Sequence, residues 1–309
     1  MNRLTRIFAR IALAGALLAA LGLAAGCSSS KGSDTAFTST DKVKVAASFY
    51  PMADFAQKIG GDNVEVVCLV PAGTEPHDWE PSTTDMRTIA AADVFVYSGS
   101  GMESWVEDSL GNLGKDAIAV ETSANVTLRG GSASDSDTDP HVWLDPQNAK
   151  LQMRAIADAL VAADPAHEKE YEANYAYMAG QLDELDAQFS STLAACPNHT
   201  IVVAHEAFGY LCNAYGLTQL GIEGLSADSE PDAARMAQIV DFVRANNVTT
   251  IFAEELLSPK VAEAIASETG AQVAILNPIE GLDDEALANG ADYFSVMRDN
   301  LAALEKALS

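Results

Sequence analysis

Three of the chain's five histidines stand in polar, turn-rich settings, each beside an apolar or aromatic run. His77 lies in Glu75-Pro76-His77-Asp78-Trp79-Glu80-Pro81, and His141 in Asp139-Pro140-His141-Val142-Trp143-Leu144-Asp145-Pro146. His205 lies in Val202-Val203-Ala204-His205-Glu206-Ala207-Phe208. They are far apart in sequence, so only a fold can gather them. Three neutral imidazoles plus one carboxylate would close a tetrahedral site, the geometry zinc prefers. Imidazole nitrogen suits zinc, whereas manganese asks for more oxygen. A site closed by four protein groups stores a metal and leaves no position for activating water. His167 and His199 lack such settings and are expected not to be ligands.

The elements that must position these groups read as α/β. Short apolar runs alternate with helical stretches, the pattern of parallel sheets flanked by helices. Strands are expected at Val43–Phe49, Val64–Val70, Val94–Tyr97 and Ile118–Val120, and after Pro197 at Thr200–Ala204, Leu217–Ile222, Thr250–Ala253 and Gln272–Leu276. Ser82 offers an N-cap for a helix to about Ala92. Between the two groups the sequence is almost continuously helical from Pro146 to about Ala195, interrupted at Asp164-Pro165, where Pro can start a second helix. That helix would be about 42 Å long at 1.5 Å per residue, enough to join two lobes. His205 and Glu280 fall at or shortly after strand ends of the second lobe, and His77 follows the second strand of the first. Ligands of open parallel sheets bind beyond the carboxyl ends of strands, so at least three of these four groups should point into the cleft between the lobes.

The ends and the composition bound the setting. Arg3, Arg6 and Arg10 precede an apolar run from Ile11 to Ala25 that is too short for a comfortable membrane span and reads as a secretory signal. Leu23-Ala24-Ala25-Gly26-Cys27 resembles the bacterial lipobox, which implies cleavage after residue 26 and a diacylated Cys27. Two chains anchor firmly where one holds marginally. The expected division is a signal in 1–26, the lipidated Cys and a polar tether in 27–41, a first lobe in 42–164, the linking helix in 165–196 and a second lobe in 197–309. With 44 acidic against 18 basic residues and a net charge of −26, the chain lacks the basic footprint of a nucleic-acid binder. Cys68, Cys196 and Cys212 form no metal-binding spacing. Cys68 reads as a small buried hydrophobe. Cys196 and Cys212 flank one strand and its following helix; export would permit a disulfide between them, but spacing does not set its geometry, so the pairing stays open.

The three histidine blocks, with Ser229-Glu230-Pro231, Ser258-Pro259-Lys260-Val261-Ala262 and Tyr293-Phe294-Ser295-Val296-Met297-Arg298-Asp299-Asn300-Leu301, resemble the zinc/manganese solute-binding proteins of bacterial ABC transporters. The resemblance runs in order from Val43 to Leu308. It implies two α/β lobes joined by one rigid helix with the metal in the cleft, and a ligand set falling on His77, His141, His205 and Glu280. His at the third position, where manganese-type members often carry Glu, implies Zn²⁺ over Mn²⁺. The alignment of Glu280, in Asn277-Pro278-Ile279-Glu280-Gly281, is looser than that of the histidines.

The resemblance further implies a membrane-anchored, extracytoplasmic receptor that delivers zinc to an ABC permease and its ATPase, acting as a monomer. Alternatives are a manganese receptor of the same family and a metal-containing adhesin. An enzyme is not expected, because no catalytic motif can be placed. Unlike many zinc-type members, this chain has no histidines in the loop before His141; residues 130–139 carry Asp135, Asp137 and Asp139 instead. Glu75, Asp78, Asp145 and Glu206 are candidates for orienting the ligand rings, and Trp79, Trp143 and Phe208 for walling the site from water.

Overall fold

A computed structural model of the chain describes residues 36–39, 41–130, 138–226 and 231–309. The signal segment, Cys27, most of the acidic loop and Ser229-Glu230 lie outside the described residues. Among the described residues, no helix is long and apolar enough to cross a membrane.

The first lobe runs β1 (Val43–Ala47), α1 (Tyr50–Gly60), β2 (Val64–Cys68), α2 (Thr83–Ala91), β3 (Val94–Tyr97), α3 (Val106–Leu110) and β4 (Ile118–Glu121). Its four strands are all parallel, in the order β2-β1-β3-β4. Then come α4 (Pro146–Ala163) and α5 (Glu168–Ala195). The second lobe runs β5 (Thr200–Val203), α6 (Gly209–Tyr215), β6 (Thr218–Gly221), α7 (Ala233–Ala245), β7 (Thr250–Ala253), α8 (Lys260–Thr269), β8 (Gln272–Ile275), α9 (Asp284–Ala288) and α10 (Tyr293–Leu308). Its strands, also parallel, take the order β6-β5-β7-β8. The two lobes therefore repeat one plan, with the first strand of each lobe inside its sheet. That places the exits of β5, β7 and β8 side by side.

The expected sheet and helix pattern is present, with differences at the ends. Ser82 caps α2, its hydroxyl accepting from the Thr84 and Asp85 backbones while Asp85 returns the bond to the Ser82 N–H. His205 is followed directly by a 3-10 turn over Glu206–Phe208, before α6. The short α3 and α9 were not expected; five residues are too few to show a helical period. Residues 37–39, expected to lie in the tether, are docked on the first lobe. Phe37 is buried against the first lobe, and the Glu65 carboxylate accepts bonds of 2.7 Å from the Thr38 and Ser39 N–H groups and from the Thr38 hydroxyl. A buried ring and a carboxylate clamp together dock residues 37–39.

The linking helix α5 has 28 residues. It packs on α4 and α1 of the first lobe and on α6 and α10 of the second, through Tyr171, Leu182, Leu185, Phe189 and Leu193. One face of each sheet contributes to a single core that runs through both lobes, from Val45 and Phe55 to Val203 and Leu304. The opposite faces are covered separately, by α2 and α3 on the first sheet and by α7 and α8 on the second. Parallel strands need both faces covered. The start of α10 reaches across: Tyr293 meets Phe55 edge-to-face at 5.0 Å, and Lys58 bonds Asp292 at 2.8 Å. A shared core resists wide hinge opening, because packed interiors transmit strain instead of yielding.

Cys196 and Cys212 are both free, buried thiols, so the disulfide left open by the sequence is not made. Each is held by its own surroundings. The Cys196 thiol turns back toward the Thr192 carbonyl within its helix, and burial pushes the Cys212 thiol up to about 12. Cys68 is only partly buried, its thiol on the Val70 carbonyl at 3.2 Å.

Candidate metal centre

His77, His141, His205 and Glu280 converge in the cleft between the lobes. His205 leaves β5 two residues after its last strand residue, and Glu280 follows β8. His77 sits in the long loop after β2. His141 arrives differently, from the segment preceding a 3-10 turn over Val142–Leu144 and the start of α4.

Each side chain is aimed by a specific neighbour. The Asp139 carboxylate oxygen Oδ1 accepts both the His141 backbone N–H at 3.0 Å and the ring Nδ1–H at 2.9 Å. Glu254 does the same for His205, with Oε1 at 3.3 Å from the backbone nitrogen and 2.8 Å from Nδ1. Gripping Nδ1 from a carboxylate fixes the proton there and leaves the Nε2 lone pair facing the centre. For His77 the grip is on the backbone alone: Glu75 accepts from its N–H at 3.0 Å. The loop carrying Glu280 is tied by Asn300, whose side chain bonds Asn277 N–H at 2.8 Å and Asn277 C=O at 2.7 Å. Asn277 Oδ1 in turn accepts the Ile279 N–H at 2.7 Å. That network holds Ile279 at φ 59°, a region where a β-branched residue is an outlier and where such strain costs on the order of 1–3 kcal/mol. The strain sits one residue before the carboxylate it delivers.

The four inward atoms form a compact cage. Nε2 of His141 lies 3.2 Å from Nε2 of His77 and 3.3 Å from Nε2 of His205. Glu280 Oε1 lies 3.0 Å from His141, 3.1 Å from His205 and 3.4 Å from His77. Donors about 2.0–2.1 Å from a tetrahedral zinc are about 3.3 Å apart; five of the six edges here are close to that length, and the four atoms all lie within 4.8 Å of one another. His141, His205 and Glu280 are fully buried, while His77 keeps 8% of its side chain exposed. It faces a cavity of about 340 Å³ lined by Ser100, Thr138, Pro140 and Leu225.

Burial alone would strip the charges from this cluster, yet the groups sustain one another. Desolvation opposes the His141 cation, but hydrogen bonds to Asp139 and Glu280 outweigh it and raise its pKa. For His205, desolvation is again overcome, by the charges of Glu254 and Glu280, and the value stands well above the ordinary one. Burial would raise Glu280, but His205 and the bonds from all three imidazoles hold it well below the carboxylate range. Glu75 is raised by burial. Asp139 pairs with Arg129, and Glu280 faces the Nε2 atoms of all three rings, so protons on those nitrogens and a divalent cation compete for one place.

A pH dependence follows for the metal-free protein. The raised imidazoles contribute stability in full below the unfolded value of about 6.5, and lose it as pH rises through their folded values. Glu280 contributes above about pH 4.3 and loses it as pH falls through its own depressed value. The cluster should therefore favour the metal-free fold most at mildly acidic pH. Melting temperatures of chelator-treated protein across that range test this, and a steady rise into alkali would contradict it.

The other expectations divide. Asp139 and Glu254, not Asp78, Asp145 or Glu206, orient the rings. Asp145 instead caps α4, accepting from Gln147 N–H at 2.9 Å, and Glu75 holds a backbone. Glu254 could have been noticed, since it directly follows β7 as His205 follows β5. Trp143 and Phe208 are fully buried, the former 5.5 Å from the His141 ring. Trp79 packs edge-to-face on Trp105 at 5.3 Å and anchors the His77 loop. His167 bonds Asp164 far from the cluster, and His199 is not part of it.

Two parallel-sheet lobes with a three-histidine, one-glutamate cage between them define a cleft-type metal-binding protein. Residues 45–307 match the family described as zinc-uptake complex component A, periplasmic (ZnuA), and the chain belongs to that family. It is 37% identical over 299 residues to the high-affinity zinc uptake system protein ZnuA of Bacillus subtilis, covering 93% of this chain and 94% of the relative. It is 38% identical to the zinc-binding protein AdcA of Streptococcus pyogenes, covering 85% of this chain but 55% of that protein, so it spans about half of AdcA's length. Among solved structures, the Zn(II)-bound ZnuA-like domain of Streptococcus pneumoniae AdcA superposes with a TM-score of 0.77 at 36% identity, over 86% of this chain and 99% of that one. The laminin-binding protein Lmb of Streptococcus agalactiae, described as bifunctional in adhesion and metal transport, gives 0.79 at 34% identity, over 87% and 100%.

Proposed function

We propose that this protein captures Zn²⁺ outside the membrane through His77, His141, His205 and Glu280, and delivers it to an ABC permease driven by its ATPase. The observation that carries the reading is the donor cage drawn from both lobes, five of its edges 3.0–3.4 Å long. Zinc is the cargo. Four protein donors leave no open coordination position, so the site holds metal without activating water, and we assign no enzymatic activity. Membership of the family supports the transport role. In this reading residues 1–26 are removed, Cys27 carries the lipid anchor, and the receptor works as a monomer on the extracytoplasmic face.

Metal analysis of the purified protein beside competitive zinc and manganese titrations tests it. Zinc should be retained and should bind more tightly; tighter manganese binding would sink the metal assignment. Zinc at about 100 times its Kd should stabilise the fold by about 2.7 kcal/mol, read as a rise in melting temperature that a chelator reverses. A second reading, adhesion, draws on the likeness to Lmb. Deleting the gene separates the two: loss of growth under zinc chelation marks a receptor, whereas a pure adhesin leaves uptake intact.

A further inference from the structure

Behind His141, on the side away from the cage, a second set of residues crosses the lobe boundary. Asp139 uses Oδ1 for His141 and Oδ2 for the guanidinium of Arg129. Arg129 and Asp139 are also joined through the backbone, Asp139 N–H donating to Arg129 C=O at 2.9 Å. Both belong to the first lobe. From the second lobe, the Tyr210 hydroxyl accepts the Arg129 N–H at 3.1 Å and donates to the Asp139 C=O at 3.0 Å, while its ring lies 5.7 Å from the guanidinium carbon. Gly209, the first residue of α6, completes the fit. A Cβ there would collide with Arg129 Nη1 and meet Asp139 Oδ2, so glycine is what lets the guanidinium lie across the helix start. Its backbone is ordinary helix, φ −61°, and asks for no glycine. Close approach is the reason for this residue. The same helix start is reached from His205 through Glu206–Phe208.

We propose that Arg129, seated on Gly209 and Tyr210, is a positioning residue for metal capture, locking Asp139 and through it the His141 ring to the lobe that carries His205. The inference rests on His141 and His205 sharing one zinc. Arg129 touches neither the metal nor its ligands. It acts by denying Asp139 any other orientation, and it does so only while the lobes are in register. Changing a group that orients a metal ligand typically costs 10–100-fold in affinity.

The decisive variant is Gly209→Ala. A Cβ there must displace Arg129 and crowd Asp139, so some stability is lost in either case; a purely structural role predicts that loss with unchanged metal binding. Displacement of Arg129 predicts zinc dissociation into a chelator at least about tenfold faster, and a weakened, shifted Co²⁺ visible absorption. Arg129→Ala should do the same. Arg129→Lys should recover part of the loss and Tyr210→Phe should cause a smaller one; both serve if Arg129→Ala folds poorly. Wild-type dissociation and Co²⁺ spectra in Gly209→Ala and Arg129→Lys would overturn the proposal while leaving the zinc receptor standing. Failure of the unaltered protein to bind zinc would instead remove the receptor reading itself.

Discussion

His205→Ala should weaken zinc binding by orders of magnitude, about a thousandfold or ~4 kcal/mol, while the protein stays folded. The ring it removes is held on both of its nitrogens, unlike that of His77. It is fully buried, fixed by Glu254 at 2.8 Å, and 3.1–3.3 Å from two other donors. Water cannot replace it on equal terms, because a water there would have to satisfy Glu254 and the metal together without the ring's reach. The fold loses the charge that offsets Glu254 and Glu280, and Glu254 is left without its partner, a penalty of about 1–3 kcal/mol, which the core shared by both lobes can absorb. His77→Ala should cost less. His77 stands at the rim of the cage, and among the described residues its Nδ1 has no partner, so solvent can take the vacated position. Competition titrations against a chelator of known affinity measure both. Near-unchanged zinc affinity in His205→Ala, with an intact circular dichroism spectrum, would remove the ligand assignment. An equal loss in both variants would remove the ranking.

That ranking could not be read from the residues alone, and the reason is instructive. Period and punctuation placed the strands, because Val/Ile runs bounded by Gly, Pro and Asp have few other solutions. The strand-end rule then pointed His205, Glu280 and His77 toward one cleft. His141 follows no strand, and its inclusion came from its sequence block. What was illegible is which carboxylate meets which ring. Asp139 and Glu254 look like any of 44 acids until the sheet order sets β7 beside β5 and the backbone brings Asp139 under His141. Glu206 adjoins His205 in sequence but heads a 3-10 turn, with its N–H on Gly224 C=O at 2.8 Å. Adjacency in sequence is a poor guide to orientation in a loop, whereas adjacency of strand exits is a good one. Phe37 shows the same limit in reverse: composition reads its stretch as tether, but the buried ring and the Glu65 carboxylate dock it. The strained Ile279 and the Asn277–Asn300 pair were likewise invisible, since 23 residues separate the two asparagines and nothing in either neighbourhood names the other.

Trp143→Ala should destabilise the metal-free protein by about 3–5 kcal/mol, a large fraction of the roughly 5–15 kcal/mol a domain possesses. Trp143 is fully buried, meets Phe49 edge-to-face at 5.0 Å, and sits two residues after a ligand. Its indole N–H donates to the Pro278 carbonyl at 2.8 Å, and its own carbonyl accepts from the Tyr293 hydroxyl at 2.7 Å. The first of those bonds joins the His141 segment to the loop that presents Glu280. Trp143→Phe separates packing from that tie. Phenylalanine keeps much of the ring volume but leaves the buried Pro278 carbonyl without its donor, which should cost about 1–3 kcal/mol. Because the lost bond lies two residues from Glu280, zinc affinity should fall in Trp143→Phe along with stability, whereas a core residue remote from the cage would lower stability alone. Denaturant unfolding of the metal-free protein, paired with zinc titration, reads the two effects separately. If Trp143→Phe loses stability but binds zinc as the parent does, Asn277 and Asn300 hold Glu280 without help from Trp143.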